Sequence, residues 1–452
     1  MWNRLLLLKA QLLGHEGIRR YGANTAWLMG EKVLRMFMGL FVGIWVARYL
    51  GPEQFGLLSY AQSFVFLFTA IATLGLDGIV VRELVKDNSQ RNVLLGTAFT
   101  LKLIGSLCIL PLLWLGVQFT SNDSYTNLLI FIIASGTIFQ SFNVIDFYYQ
   151  SSVLSKYVAF ANTITLAISS IVKVVLILNE ASLLAFAIVG VFDTVILALG
   201  LIYFYWQKTH HSLREWQFDK IVAKRLLSDS WPLIFGSIAA SLYMQIDQIM
   251  IQEILGSESV GYYAVAVKLS TIWLFITTSL TSTFAPAIIK AKKIDRNLYI
   301  NRMSMIYSLL VKISLIICIT ISISSYWIVT NLYGIEYQES VQVLNVYIWS
   351  ILFVFLSNGS WAYYINEGLE KIASIRLVVG ALINIVLNMY LIKYVGLMGA
   401  AYSTIISYSI SSYFINLFFS RTRENFMLQT IAIMNFFSIN SWKKLFKFTE
   451  IK

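Results

Sequence analysis

The sequence predicts an all-α integral membrane protein with twelve transmembrane helices, arranged as two six-helix repeats around a central cavity. Three observations carry this. Charged residues make up 13% of the chain and mean hydropathy is +0.71, values that an ordinary soluble surface does not have. Reading for stretches of about 20 mostly apolar residues gives twelve spans: 24–46, 55–79, 92–116, 127–149, 157–178, 182–205, 231–253, 260–288, 305–330, 343–366, 371–393 and 397–419. Of the 34 Lys and Arg residues, 26 fall at the ends or in or beside alternate gaps, counting Lys371 and Arg376 at the start of the eleventh span, and only Arg48 and Lys393 fall in or beside the intervening gaps. Basic loops remain on the cytoplasmic side, so both termini are expected there.

The elements follow in order. Residues 1–23 hold the apolar run Leu5–Leu8, too short for a signal peptide, followed by Arg19-Arg20 in place of a small-residue cleavage site. They are expected to form an amphipathic segment on the inner leaflet. Residues 24–205 form the first bundle, 206–230 a charged cytoplasmic linker, 231–419 the second bundle and 420–452 a cytoplasmic tail. Trp231-Pro232 opens the seventh span, with Pro in the first turn where its missing N–H is harmless. Outer loops are short, the longest being about 331–342.

The halves repeat. Leu50-Gly51-Pro52-Glu53-Gln54-Phe55-Gly56 matches Leu255-Gly256-Ser257-Glu258-Ser259-Val260-Gly261, and Lys102 and Cys108 match Lys312 and Cys318. Ser155-Lys156 after Tyr148-Tyr149 matches Glu370-Lys371 after Tyr363-Tyr364. Three matches in one order with slowly growing offsets indicate a duplicated unit. An even number of spans per copy relates the copies by an axis along the membrane normal, with a binding site expected between them.

Net charge is +11, which cytoplasmic loops facing anionic headgroups explain better than nucleic acid does. The two cysteines lie in apolar spans, and His15, His210 and His211 lie outside them. No metal centre, cofactor or catalytic residue is expected.

The remaining six cations lie deeper inside apolar spans: Lys32, Arg35, Lys102, Lys173, Lys268 and Lys312. Each costs roughly 2.5–3.5 kcal/mol at a helix centre on insertion scales, so such residues usually line a polar cavity. Glu31 and Arg35 are four apart on one helical face and pair, leaving Lys32 unmatched, with Arg48 near the outer end. Lys102 and Lys312 sit near cytoplasmic ends, from which their stems can snorkel, and Lys173 lies toward the outer end of its span. Asp247, between amides in Gln245-Ile246-Asp247-Gln248, must titrate, bind an ion, or bridge to Lys268 or Arg35. Arg35 and Lys268, with Lys32 and Arg48, are the candidate anion-binding residues. Asp247 and Glu31 are candidates for ion coupling or structural pairing, and Lys102, Lys173 and Lys312 are further cavity cations. Gly51-Pro52 and Gly256 are expected in outer turns, and Gly75, Gly78, Gly396 and Gly399 at close helix contacts. Tyr148-Tyr149 and Tyr363-Tyr364 suit an interfacial belt.

Ala47-Arg48-Tyr49-Leu50-Gly51-Pro52-Glu53-Gln54-Phe55-Gly56 resembles the outer turn after the first helix of polysaccharide flippases of the O-antigen translocase type. Asp247-Gln248-Ile249-Met250, Gly261-Tyr262-Tyr263 and Gly396-Leu397-Met398-Gly399-Ala400-Ala401 resemble the corresponding parts of their second half and final hairpin. The resemblance runs over residues 20–420 and extends to a wider superfamily of drug antiporters and peptidoglycan-precursor flippases. Gln150-Ser151 departs from the family's Gln-Gly pair, which removes a flexible joint there.

The resemblance implies a non-enzymatic flippase of the bacterial inner membrane in lipopolysaccharide or other polysaccharide biosynthesis. Its cargo would be undecaprenyl-pyrophosphate-linked oligosaccharide, and its partners membrane lipid, a polysaccharide polymerase and chain-length machinery. A pyrophosphate and sugars need a wet, cationic passage across ~30 Å of hydrocarbon, with alternating access by rocking of the bundles. A drug/cation antiporter would favour acidic cavity residues. A membrane-embedded polymerase or glycosyltransferase would need a carboxylate-rich loop or a soluble domain.

Overall fold

The computed structural model describes residues 16–438. The expected amphipathic segment therefore lies, through residue 15, outside the described residues, as does the tail beyond 438. The fold is helical throughout, and ten helical stretches among the described residues are long and apolar enough to cross a membrane. The first, Gly30–Lys86, is 57 residues long. At 1.5 Å per residue it far exceeds one ~30 Å bilayer core. It contains most of the expected span 24–46 and all of 55–79. Helix α1 (Glu16–Thr73) changes direction inside it at Gly51, whose φ of 70° suits a residue without Cβ. At the other end, the expected span 397–419 is built from α15 (Leu397–Ser409), a π turn and the short α16 (Ile415–Phe418).

Two compact units divide the chain: Met1–Leu50 with Ala61–Ile238, and Gly51–Tyr60 with Ala239–Lys452. The first holds α2 (Asp77–Lys86), α3 (Arg91–Val117), α4 (Ser124–Phe139), α5 (Val144–Ser151), α6 (Lys156–Leu178) and α7 (Leu183–Thr209). Its core near the basic loops packs Leu94, Leu95, Val144, Ile145, Tyr149 and Leu226. Residues 213–219 fold against α3. Gln217 N–H donates to Asn92 O at 3.1 Å, and a Cβ on Gly96 would meet Gln217 N at 2.5 Å. Asp219 then caps α8 (Lys220–Leu255) by accepting from Ile221 N and Val222 N at 2.7 and 2.9 Å. Pro232 consequently lies inside this helix and not in its first turn, because the capping carboxylate starts the helix well before it.

The second unit holds α9 (Ser257–Thr271), α10 (Leu274–Ile294), α11 (Arg296–Leu332), α12 (Glu339–Tyr347), α13 (Ser350–Glu367), α14 (Glu370–Val395), α15, α16 and α17 (Arg423–Met434). The tail thus contributes a packed helix, with Asn425 and Gln429 buried. The duplicated motifs meet here. A Cβ on Gly56 would lie 1.8 Å from Ser257 O, and one on Gly261 would lie 2.0 Å from Pro52 O. Backbones approach this closely only where both residues lack side chains. Gly399 is equally confined, 2.1 Å from Leu391 O, whereas Gly78 has open space. Gly396 serves a turn, with φ of 72°.

Several expectations are corrected. Lys102 and Lys312 do not snorkel; they are 4% and 1% exposed. Tyr148, Tyr149, Tyr363 and Tyr364 are buried and form no interfacial belt. They face inward, where Tyr148 meets Tyr205 with ring centroids 5.6 Å apart and Tyr364 O–H donates to Asn416 Oδ1. Arg376, counted with the loop cations, is a buried residue of α14.

Candidate functional site

Asp247 lies on α8, in the part that belongs to the second unit, and is 5% exposed. Its carboxylate is met by neutral donors. Tyr263 O–H from α9 donates to Oδ2 at 2.6 Å, Thr404 Oγ1 from α15 to Oδ2 at 2.8 Å, and Asn388 Nδ2 from α14 to Oδ1 at 2.6 Å. Asn388 Nδ2 also donates to Asn384 Oδ1 at 3.2 Å, and Asn384 Nδ2 to Ser407 Oγ at 3.4 Å. Of the three alternatives for Asp247, a bridge to Lys268 within this unit is not formed among the described residues. Arg35 pairs instead with Glu31.

Helical spacing explains the assembly. Asn384 and Asn388 are four apart and share a face of α14, and Thr404 and Ser407 are three apart on α15. Gly399 lets α15 approach α14 closely. The cluster brings together a carboxylate, the amides of Asn384 and Asn388, and the hydroxyls of Tyr263 and Thr404. Asn388 Oδ1 is buried with no hydrogen-bond partner among the described residues. A buried carboxyl group near an orphaned carbonyl oxygen, deep in an apolar bundle, has the oxygen atoms to hold a proton or a small monovalent cation. Either one offsets a desolvation cost of several kcal/mol.

The other expected residues separate into two kinds. In the first unit, Lys102 Nζ is 3.4 Å from Asp77 Oδ1 and Lys173 Nζ is 3.1 Å from Asp193 Oδ2. Glu31 pairs with Arg35, whose side chain nevertheless stays 51% exposed. Lys32 and Arg48 are also exposed on this unit. In the second unit Lys268 is half-buried, Lys312 is buried, and Arg376 stacks over the Tyr364 ring at 4.7 Å. Within the spans of the first unit, Glu31, Asp77, Asp146 and Asp193 match Lys32, Arg35, Lys102 and Lys173 one for one.

A family model described as polysaccharide biosynthesis protein matches residues 21–292, more than half of the chain. The chain belongs to this polysaccharide biosynthesis family. No curated protein matches it in sequence. Its fold is that of the MOP superfamily. A multidrug resistance MATE transporter in an inward-facing conformation is 13% identical, with a TM-score of 0.67 over 89% of this chain and 95% of that one. The lipid II flippase MurJ, inward closed, is 14% identical, with a TM-score of 0.67 over 94% and 93%. A MOP transporter from Pyrococcus furiosus is 14% identical, with a TM-score of 0.59 over 94% and 98%.

In this member of the polysaccharide biosynthesis family, sequence reasoning missed Asp77, Asp146 and Asp193. The rule applied to the cations, a charge inside an apolar span, would have found all three. It also missed Asn384 and Asn388, whose four-residue spacing inside an apolar span was the available signal.

Proposed function

We propose that the protein is a flippase that carries lipid-linked oligosaccharides across the bacterial inner membrane. The cargo is the undecaprenyl-pyrophosphate-linked repeat unit of an O-antigen or related polysaccharide, moved from the cytoplasmic to the outer face. The supporting observation is the pairing of membership in a polysaccharide biosynthesis family with a MOP transporter fold. The fold alone does not choose the cargo, because the drug transporter and the lipid II flippase resemble it equally. Family membership tips the choice toward sugar and away from the drug/cation antiporter.

Both termini and the basic loops lie in the cytoplasm, and twelve spans form two halves that alternate access by rocking. Arg35 and Lys268, with Lys32 and Arg48, bind the pyrophosphate. Glu31 orients Arg35 while leaving much of its guanidinium exposed for bidentate contact with phosphate. Lys102 and Lys173 drop out of that passage, since Asp77 and Asp193 neutralise them. Lys312 drops out because it is buried. Asp247, with Asn388 and Thr404, holds the coupling proton or monovalent cation. The polyprenyl tail stays in lipid, and polymerase and chain-length machinery take up the product.

Deleting the gene tests the reading. Lipid-linked oligosaccharide should accumulate on the inner leaflet and surface polymer should disappear, with both restored by the intact gene. Normal surface polymer in the deletion strain contradicts it.

A further inference from the structure

The first unit encloses a polar cavity of about 160 Å³ at the end bearing Arg82, Lys86 and Arg91, the side our topology assigns to the cytoplasm. Its wall comes from the end of α1, α2, α3, α4 and α5, and includes Asp77, Lys102, Gln140, Asn143, Asp146 and Gln150. Lys102 is 4% exposed, with Nζ 3.4 Å from Asp77 Oδ1 and 4.8 Å from the centre of the Phe147 ring. Asp146 lies within electrostatic reach of the same ammonium, and its Oδ2 accepts from Gln150 Nε2 at 3.0 Å. The amides of Gln140 and Asn143 face this space with no protein partner among the described residues.

The charges decide what fits. An anion entering is repelled by Asp77 and Asp146. Lys102, 3.4 Å from Asp77, already supplies one cation to the two carboxylates, and Asp77 is 61% exposed and screened by solvent, so the pull on a second cation is weak. A neutral molecule meets neither repulsion nor a competing ion. The wall offers acceptors on the carboxylates, donors on the ammonium, and both on each amide, and a hydroxyl group is donor and acceptor at once. The volume corresponds to about five waters at ~30 Å³ each, a space for a single sugar unit and not for a whole oligosaccharide.

We propose that this cavity binds one neutral, hydroxyl-rich sugar unit of the cargo on the cytoplasmic side, separately from the cations that hold the pyrophosphate. The proposal rests on the flippase reading above and names the part of the cargo that this unit recognises. Asn143 and Gln140 are the specificity-determining residues. Their amides can be filled by sugar hydroxyls, and a sugar lacking the matching hydroxyl leaves them unpaired in a partly desolvated site.

The test uses the full-length protein in lipid nanodiscs with Cys108 and Cys318 changed to Ser and a single thiol placed on the cavity wall, away from the two amides, by Thr73→Cys. Maleimide labelling is timed with the host's extracted lipid-linked oligosaccharide, with its acid-released oligosaccharide, with undecaprenyl pyrophosphate, and with NaCl. Binding of the lipid-linked oligosaccharide to the whole protein is measured alongside. The proposal expects both oligosaccharide forms to slow labelling at least fivefold while undecaprenyl pyrophosphate and NaCl do not. Asn143→Ala should weaken oligosaccharide binding roughly tenfold, the loss of about one hydrogen bond. Ser106→Cys replaces Thr73→Cys if that variant fails to fold. Binding of the lipid-linked oligosaccharide without protection of the thiol overturns this proposal and leaves the flippase reading standing. Protection by NaCl alone makes the cavity a cation site and also overturns it. Absence of any binding removes the flippase reading and this proposal together.

Discussion

Replacing Asp247 with asparagine separates coupling chemistry from packing. The introduced amide has the shape of the native carboxylate, and its surroundings can adapt to it. The hydroxyls of Tyr263 and Thr404 can turn to accept, and an amide flip of Asn388 presents its orphaned Oδ1 to the new N–H₂. The expected loss of stability is about 1 kcal/mol or less, close to one ordinary hydrogen bond. Asp247→Leu is different, because it leaves three polar partners without their acceptor at about 1–3 kcal/mol each. Thr404 keeps Ala400 O at 2.9 Å and Asn388 keeps Asn384 Oδ1 at 3.2 Å. Tyr263 retains only Thr404, at 3.1 Å. The cost should therefore fall near the low end of that range, about 3 kcal/mol in total. Thermal unfolding in detergent should rank wild type and Asp247→Asn together and Asp247→Leu well below. Transport in reconstituted vesicles should be lost in both variants, and any rise in Tm with added Na⁺ or falling pH should vanish in Asp247→Asn. Full transport by Asp247→Asn would refute the reasoning and leave Asp247 as a packing residue.

Gly261→Ala drives a Cβ to 2.0 Å from Pro52 O and should cost at least the roughly 1–3 kcal/mol typical of overpacking; Gly78→Ala, with open space around it, should leave Tm unchanged. Asp77→Asn should destabilise by about 1–2 kcal/mol. That is less than the roughly 3–5 kcal/mol for breaking a fully buried pair, because Asp77 is 61% exposed and Asp146 remains beside Lys102; a double-mutant cycle with Asp146→Asn should show coupling between the two carboxylates. His211 lies outside the spans, where burial and then the Arg91 guanidinium push its pKa below 6.5. The neutral ring is the folded form, so docking of residues 211–219 holds above pH ~6.5 and weakens as pH falls. Trypsin cleavage at Arg214 should accelerate on acidification in wild type and lose that pH dependence in His211→Gln.

Hydropathy and loop charge made the membrane class readable, because lipid imposes length and sign on the chain directly. Close backbone contact was only partly readable. Gly56 and Gly261 stood out through the repeat, but nothing local distinguished Gly399, which is packed, from Gly78, which is open. The sites were harder. A cation announces itself inside an apolar run, yet whether Lys102 snorkels or is buried depends on Asp77, 25 residues away, and on the ring of Phe147. Asn384 and Asn388 carry no charge and signal only a shared polar helix face, so that they and Thr404 converge on Asp247 shows only in tertiary packing. Arg376 sits just past a loop and looked like part of it, but its helix turns it inward over Tyr364.

Direct translocation tests the central claim most plainly. Purified protein is reconstituted into vesicles carrying the host's lipid-linked oligosaccharide in both leaflets, and an impermeant glycan-cleaving enzyme is added outside. Without the protein, cleavage should stop near half of the lipid-linked pool. With the protein it should proceed to near completion, and with the Arg35→Ala, Lys268→Ala double variant it should stop at half again. Cleavage that stops at half in the presence of folded wild-type protein, under an imposed proton or sodium gradient, would contradict the account.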